Sequence, residues 1–273
     1  MAVTKRQEEY IGYVEINNPP ENVINQSVRR GLLEAVRWAE KEMLSRVILT
    51  ANGTDFSAGA DALEFDQSPQ APHLADVTAA IDESFVPWVA VIEGEALGSA
   101  AEIAMACRMR IMAPNAVIGV PDVDLGIIPS AGGTQRLPRL VGLAKAVDLI
   151  AGGQSLSAQE AFTAGLVQEI DEDPLEAAYL VNTEDLGCIV PAWELPAPAA
   201  DSDFFTKARE AWATDGGNAA PGCAIDVIEQ GLTQPFHDAL ALEKKTYAAL
   251  RDSAAAKALR HVYFAERGAQ AAG

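Results

Sequence analysis

The sequence predicts an α/β fold. Short runs rich in β-branched residues alternate with longer segments of helical periodicity, and the strands are joined through helices instead of tight hairpins, as a largely parallel sheet requires. A second observation is that the C-terminal fifth of the chain reads as helix alone. One large α/β domain with a helical appendage therefore fits the 273 residues, whereas two ordinary domains would be cramped.

Taken in order, residues 10–16 alternate and form a strand, which Asn17-Asn18-Pro19-Pro20 ends. Over residues 27–44, Val28, Leu32, Leu33, Val36, Ala39 and Met43 recur at helical spacing, and the apolar run Val47-Ile48-Leu49 is the next strand. A loop and a helix over residues 73–84 lead to a buried strand at 88–92. Gly94 to Gly98 then turns into a helix carrying Glu102, and residues 109–112 and 116–120 are two more short strands. Helices follow at 143–150 and at 157–164, where Ser157 is placed to cap. Periodicity is lost between 171 and 221, and Pro191, Pro196 and Pro198 mark an extended linker. Residues 224–267 are one or more amphipathic helices, with Val227, Leu232, Phe236, Leu240, Leu242, Tyr247, Leu250, Leu259 and Phe264 among the apolar positions. This divides the chain into a core over 1–190, a linker over 191–222 and a helical segment over 223–273.

Composition excludes several functions. A formal net charge of −19 repels nucleic acid and anionic membrane surfaces. Cys107, Cys188 and Cys223 are scattered, with neither CxxC spacing nor an even count, so a reducing compartment and a cytoplasmic location are expected. No apolar run approaches the ~20 residues of a membrane span. There is no GxGxxG after a strand, no GxxxxGK[ST], no HExxH and no GxSxG. Nucleotide cradles, zinc hydrolysis and serine-nucleophile chemistry lack their marks, and no metal or cofactor is expected. His73, His237 and His261 neighbour no candidate nucleophile.

Three segments carry candidate chemistry. In Phe56-Ser57-Ala58-Gly59-Ala60-Asp61 small side chains let a ligand approach the backbone, although an ordinary tight loop has the same composition. Residues 94–106 open an apolar helix whose first N–H groups lack intrahelical partners and carry partial positive charge, a place for an oxyanion. Glu102 lies one turn inside that helix, where a lone carboxylate is costly to bury. It is either a functional acid or the partner of Arg108 or Arg110. In the third segment, residues 121–137, Asp122 and Asp124 interrupt an apolar stretch just after a strand. Either acid serves as a cap or surface group unless the fold brings Asp122 opposite Glu102.

Together FSAGAD (56–61), GEALGSAAEIAMACRMRI (94–111) and PDVDLGIIPSAGGTQRLPRLVG (121–142), in that order and spacing, resemble the crotonase (enoyl-CoA hydratase/isomerase) superfamily over residues 10–170. The resemblance implies a spiral of ββα units in which two peptide segments form an oxyanion hole for a thioester carbonyl. The backbone N–H groups of Ala60 and Ser99 match those positions, and an acyl-CoA would run past Ala58, Ala60, Asp61, Ala62 and Leu63. The two hydratase acids correspond to Glu102 and Asp122. The implied function is 2-enoyl-CoA hydration to a 3-hydroxyacyl-CoA, with Glu102 activating water at C3 and Asp122 delivering a proton to C2.

Three positions depart from the family pattern. Gly98-Ser99-Ala100-Ala101 replaces a glycine-rich stretch, Asp122 is one methylene shorter than the usual glutamate, and Ser130 stands where hydratases carry glycine and a dienoyl-CoA isomerase relative carries an acid. A Δ3-Δ2-enoyl-CoA or dienoyl-CoA isomerase, or a non-catalytic acyl-CoA-binding subunit, is the alternative. Residues 18–25 and 256–267 add a similarity to the hydratase half of multifunctional fatty-acid β-oxidation enzymes, where the second stretch leads into a hydroxyacyl-CoA dehydrogenase. A dehydrogenase partner is thereby implied, and both a free-standing hydratase and a portion of a longer enzyme fit. Ordinary members of the family are trimers or hexamers, whereas the multifunctional type packs its helical segment on itself, and the latter is the expectation here.

Overall fold

The computed structural model describes residues 1–214 and 217–270, and for residues 264 and 266–270 the backbone alone. Phe264, Arg267 and residues 271–273 of the expected helical segment, and residues 215–216 of the expected linker, thus fall outside the described side chains or residues.

The chain begins with β1 (Val3–Glu8), β2 (Ile11–Ile16), α1 (Gln26–Lys41) and β3 (Arg46–Ala51). It continues through α2 (Leu74–Glu83), β4 (Trp88–Ile92), β5 (Glu95–Leu97), α3 (Ser99–Ala106), β6 (Met109–Met112) and β7 (Val117–Gly119). Next come α4 (Gly133–Val141), α5 (Leu143–Ala151), β8 (Ser155–Ser157), α6 (Ala158–Thr163), β9 (Glu169–Ile170), α7 (Pro174–Leu180) and α8 (Thr183–Cys188). The chain closes with α9 (Phe204–Ala211), α10 (Ala220–Gly231), α11 (Phe236–Arg251) and α12 (Ala254–Gln270). These elements form two compact units: Met1–Gly119 with Ser155–Leu195, and Val120–Gln154 with Pro196–Gly273.

The first unit holds both sheets. Its six-stranded sheet has the order β1-β2-β3-β4-β6-β9, and a three-stranded sheet has the order β5-β7-β8. β2, β3, β4, β6 and β9 pair in parallel. Strands of this kind are covered on both faces and so read as continuous apolar runs, as β4 and β6 do. β1 pairs antiparallel with β2 at the sheet edge. It was not expected, because its sequence VTKRQE has no apolar alternation and five of its residues are exposed. Val3 anchors it, lying where a β-carbon on Gly31 of α1 would meet it at 2.6 Å, and Arg6 stacks on Tyr13 with its guanidinium 3.7 Å from the ring centre.

The second unit is helical. Glycines set its close approaches: a β-carbon on Gly152 would lie 2.4 Å from Trp212 of the turn after α9, and one on Gly126 would lie 2.7 Å from the α12 backbone at Ala256. Segment 171–221, expected to be aperiodic, contains α7, α8 and α9. These helices are six to eight residues long, too short for the 3.6-residue period to emerge. The stretch 191–203, by contrast, is free of helix and strand. The helical segment expected over 224–267, one or more amphipathic helices, is three helices, α10 to α12, separated at Pro235 and at the Asp252-Ser253 turn. Among the described residues no helix is long and apolar enough to cross a membrane.

Candidate active site

Two peptide segments lie side by side in the first unit. The first, Ser57 to Ala60, bridges in parallel to β5 through Ser57–Ala96 and to Ile24 through Ala60. Leu97 N donates to Ser57 O at 3.1 Å, Ile24 N donates to Gly59 O at 2.8 Å, and Gly59 N donates to the Ser57 hydroxyl at 3.1 Å. Gly59 has φ +100°, and a β-carbon there would sit 2.8 Å from Leu97 O and 3.8 Å from Ser99 N. Only glycine lets the two backbones approach so closely.

The second segment is the start of α3. Gly98, at φ 51° and ψ −115°, turns the chain out of β5, and Ser99 is the first helical residue. Among the described residues the N–H groups of Ala60 and Ser99 have no hydrogen-bond partner. Gly59 spends its own polar groups locally, so Ala60 N–H is the next donor along that edge. Ser99 N–H is one of the four donors every helix start leaves open, in the positive end of the helix dipole.

Glu102 follows one turn later, on the face it shares with Ser99. Its amide closes the first helical bond, to Gly98 O at 3.0 Å, and the residue is 1% exposed. Ala100 and Ala101 on the same turn are also buried. The expected structural alternative, a pair with Arg108 or Arg110, is not formed among the described residues. Arg108 donates to Ile189 O at 2.9 Å, and Arg110 donates to Cys107 O at 2.7 Å, Ala104 O at 3.3 Å and Leu166 O at 2.6 Å. Burial pushes the Arg110 guanidinium down to about 10, with Cys107 and Asp82 acting in the opposite direction.

The remaining positions expected along the acyl-CoA path differ in exposure. Ala58, Asp61 and Ala62 are half-buried, while Ala60 and Leu63 are exposed. The Asp61 carboxylate accepts from Leu63 N at 2.9 Å and caps the short 3-10 turn Ala62–Glu64.

In the second unit, Asp122 is half-buried on the 3-10 turn Pro121–Leu125, which opens on Pro121 and closes on Gly126 at φ 72°. Asp124 is exposed on the same turn, and partial burial raises its carboxyl above the ordinary value. Ser130 is half-buried just ahead of α4. That helix has no cap of its own, since Gly132 precedes it with φ 101°. Glu243 of α11, 1% exposed, supplies one: its carboxylate accepts from Gly132 N at 2.6 Å, from Thr134 N at 2.9 Å and from the Thr134 hydroxyl. The buried charges Glu243 and Arg29 were not among the sequence candidates. Each sits on an otherwise ordinary amphipathic helix and declares itself only through partners distant in sequence.

Residues 6–183 match the enoyl-CoA hydratase/isomerase family. The chain belongs to that family, the crotonases. It is 32% identical over 268 residues to a peroxisomal bifunctional enzyme of Danio rerio, an alignment covering 95% of this chain but only 37% of the relative. The chain therefore spans well under half the length of that relative. A probable enoyl-CoA hydratase of Bacillus subtilis (strain 168) is 38% identical over 183 residues, 64% of this chain and 71% of the relative. Among solved structures, an enoyl-CoA hydratase/isomerase of Pseudoalteromonas atlantica T6c superposes with a TM-score of 0.72 over 97% of this chain and 98% of its own, at 24% identity. An enoyl-CoA hydratase of Bacillus anthracis superposes at 0.64 over 93% and 92%, at 27% identity. The architecture is the α/β crotonase fold with C-terminal helices, as the sequence predicts, and an acyl-CoA substrate is implied by the family.

Proposed function

We propose that the protein is a 2-enoyl-CoA hydratase that adds water reversibly across C2=C3 to give a 3-hydroxyacyl-CoA. The observation that carries this reading is the buried Glu102 residue, one turn from the open Ser99 N–H and on a helix whose start lies against Gly59, the residue before Ala60. The thioester oxygen would accept from the N–H groups of Ala60 and Ser99. As water adds, negative charge develops on that oxygen, and a preorganised donor is worth roughly 3 kcal/mol to such a transition state. Glu102 orients the water and takes one of its protons while the hydroxide portion bonds to C3. Asp122, entering in its acid form, gives its proton to C2, so both carboxyls return to their starting states after one proton exchange. Each acid would contribute on the order of 10²–10⁴-fold.

The shorter side chain of Asp122 favours a second reading, an enoyl-CoA isomerase in which one acid moves a proton between C4 and C2. The deciding experiment follows loss of enoyl-thioester absorbance with crotonyl-CoA and a longer 2-enoyl-CoA, for the parent, Glu102→Ala and Asp122→Ala. Hydration by the parent and a fall of orders of magnitude in both variants supports the hydratase. With a 3-enoyl-CoA as an added substrate, gain of enoyl-thioester absorbance that Glu102→Ala retains supports the alternative, and thioester binding without turnover of any substrate supports a binding subunit. Packing of α12 on the turn that carries Asp122, within one chain, supports a self-packed helical segment in place of trimer contacts. The cytoplasmic location and a dehydrogenase partner belong to the same proposal.

A further inference from the structure

We propose that Arg29 is a positioning residue that latches the segment from Asp61 to Pro72 and thereby sets the acyl-chain length the site accepts, an inference resting on the thioester-binding reading above. Arg29 lies on the first turn of α1 and is 7% exposed. Its guanidinium donates to four acceptors from three stretches of chain: Glu64 Oε2 at 2.7 Å, Pro72 O at 2.7 Å, Ile24 O at 3.1 Å and Gln70 O at 3.2 Å. The other Glu64 oxygen accepts from Gln26 N at 2.6 Å, and the Gln26 side chain donates to Ala71 O at 2.6 Å. Both ends of the segment are thus tied to the start of α1. Ile24, which receives Arg29 through its carbonyl, holds Gly59 through its amide. One side chain therefore fixes the strand bearing the Ala60 donor and the segment that follows it.

This segment is where length would be sensed. Leu63 is three residues past Ala60, within about 10 Å along the backbone, and it is 76% exposed despite being apolar. Phe65, two residues on, is buried. Residues 66–71 are exposed; the Gln70 and Ala71 carbonyls at their far end accept from Arg29 and Gln26, and Gln67 bonds back to the 3-10 turn. An acyl chain growing by several methylenes from a carbonyl at Ala60 meets this segment and must displace it. A planar guanidinium serving four acceptors in fixed directions resists that displacement; a lysine ammonium has three donors and cannot span them.

The test uses the full chain and its Arg29→Lys and Glu64→Gln variants. kcat/KM is measured for crotonyl-CoA and trans-2-decenoyl-CoA, and amide exchange is followed at Leu63, Glu64, Phe65 and Gln67, whose N–H groups close the 3-10 turn and its continuation. The expected result is a rise of about fivefold in the decenoyl-to-crotonyl ratio for Arg29→Lys, with ~10-fold faster exchange confined to those amides. Glu64→Gln, which keeps one of the two acceptor oxygens, turns the other into a donor and removes the charge, shifts both in the same direction by less and serves if Arg29→Lys does not fold. An unchanged ratio, a proportional fall for both substrates, or unchanged exchange overturns the proposal. If the parent hydrates neither thioester, the hydratase reading fails separately, and the ratio of dissociation constants for decanoyl-CoA and butyryl-CoA decides the latch by the same criterion.

Discussion

The backbone of Gly59 lies so close to Leu97 that a β-carbon on it would stand 2.8 Å from the Leu97 carbonyl oxygen. That contact sets the spacing of the two segments carrying the Ala60 and Ser99 N–H groups. Gly59→Ala must relieve the clash by moving backbone, because no flexible side chain is there to give way. It also forces a left-handed φ on an L-residue, at a cost of roughly 1–2 kcal/mol. Separation of the segments by even a few tenths of an ångström misaligns both donors. Turnover of crotonyl-CoA is expected to fall by about 10²-fold or more, while the urea midpoint shows a loss of only ~2 kcal/mol. A fall in activity no larger than the loss of folded protein would remove this glycine from the site's architecture.

Glu243 is the cap of α4 and comes from more than a hundred residues away. Replacing it with alanine leaves the N–H groups of Gly132 and Thr134 and the Thr134 hydroxyl without that carboxylate in a buried place. The expected destabilisation is about 3 kcal/mol, and Glu243→Gln should recover part of it by retaining one acceptor. Equilibrium urea unfolding measures both variants against the parent, and a Glu243→Gln variant as stable as the parent would show that the carboxylate charge and its second oxygen contribute nothing.

How far the fold was legible in the sequence follows from where each element finds its partners. β4 and β6 are buried on all sides and announce themselves as apolar runs. Ser157 caps α6 through Glu160, a signal contained in four residues. α4 gives no such signal: it begins on two glycines, contains Pro138, and takes its cap from α11. β1 is polar and forms because β2 offers an open edge. The candidate site divides in the same way. Glu102 stands out as the one acid in an apolar helix, and the small residues around Gly59 and Gly98 mark close backbone approach. Arg29 looks like any solvent-facing arginine of an amphipathic helix until the segment reaching Pro72 folds over it.

Arg110 closes the other end of the Glu102 helix, donating to the Ala104 and Cys107 carbonyls and to Leu166 O. Arg110→Met takes the guanidinium donor from the Cys107 and Leu166 carbonyls, while Ala104 O keeps the Cys107 N–H at 3.1 Å, and should cost about 3 kcal/mol at neutral pH. The pH dependence has a definite sign. Burial lowers the folded-state value from the ordinary guanidinium range to about 10, so between about pH 10 and that ordinary range the unfolded chain retains a proton that the folded chain has released. Stability from this group therefore rises with pH across that window, and the cost of burying the charge is fully present below it. Relative to Arg110→Met, the parent should gain roughly 1 kcal/mol between pH 9 and pH 11, read from paired urea titrations. A constant gap would mean that the guanidinium stays charged throughout.

The three cysteines should separate by reaction rate. Cys188 is exposed at the end of α8, Cys223 is partly buried near the start of α10, and Cys107 is buried at the end of α3. Burial raises the Cys223 thiol above its ordinary value, and the Asp226 carboxylate adds to the shift. Thiolate is the reactive form, so Cys223 carries little of it at pH 8. Iodoacetamide at that pH should label Cys188 first, Cys223 at least ~10-fold more slowly, and Cys107 only as the first unit opens. Peptide mapping of a labelling time course checks the order. Early labelling of Cys107 would mean that α3 opens locally, which would be incompatible with a rigid placement of Glu102 and the Ser99 N–H.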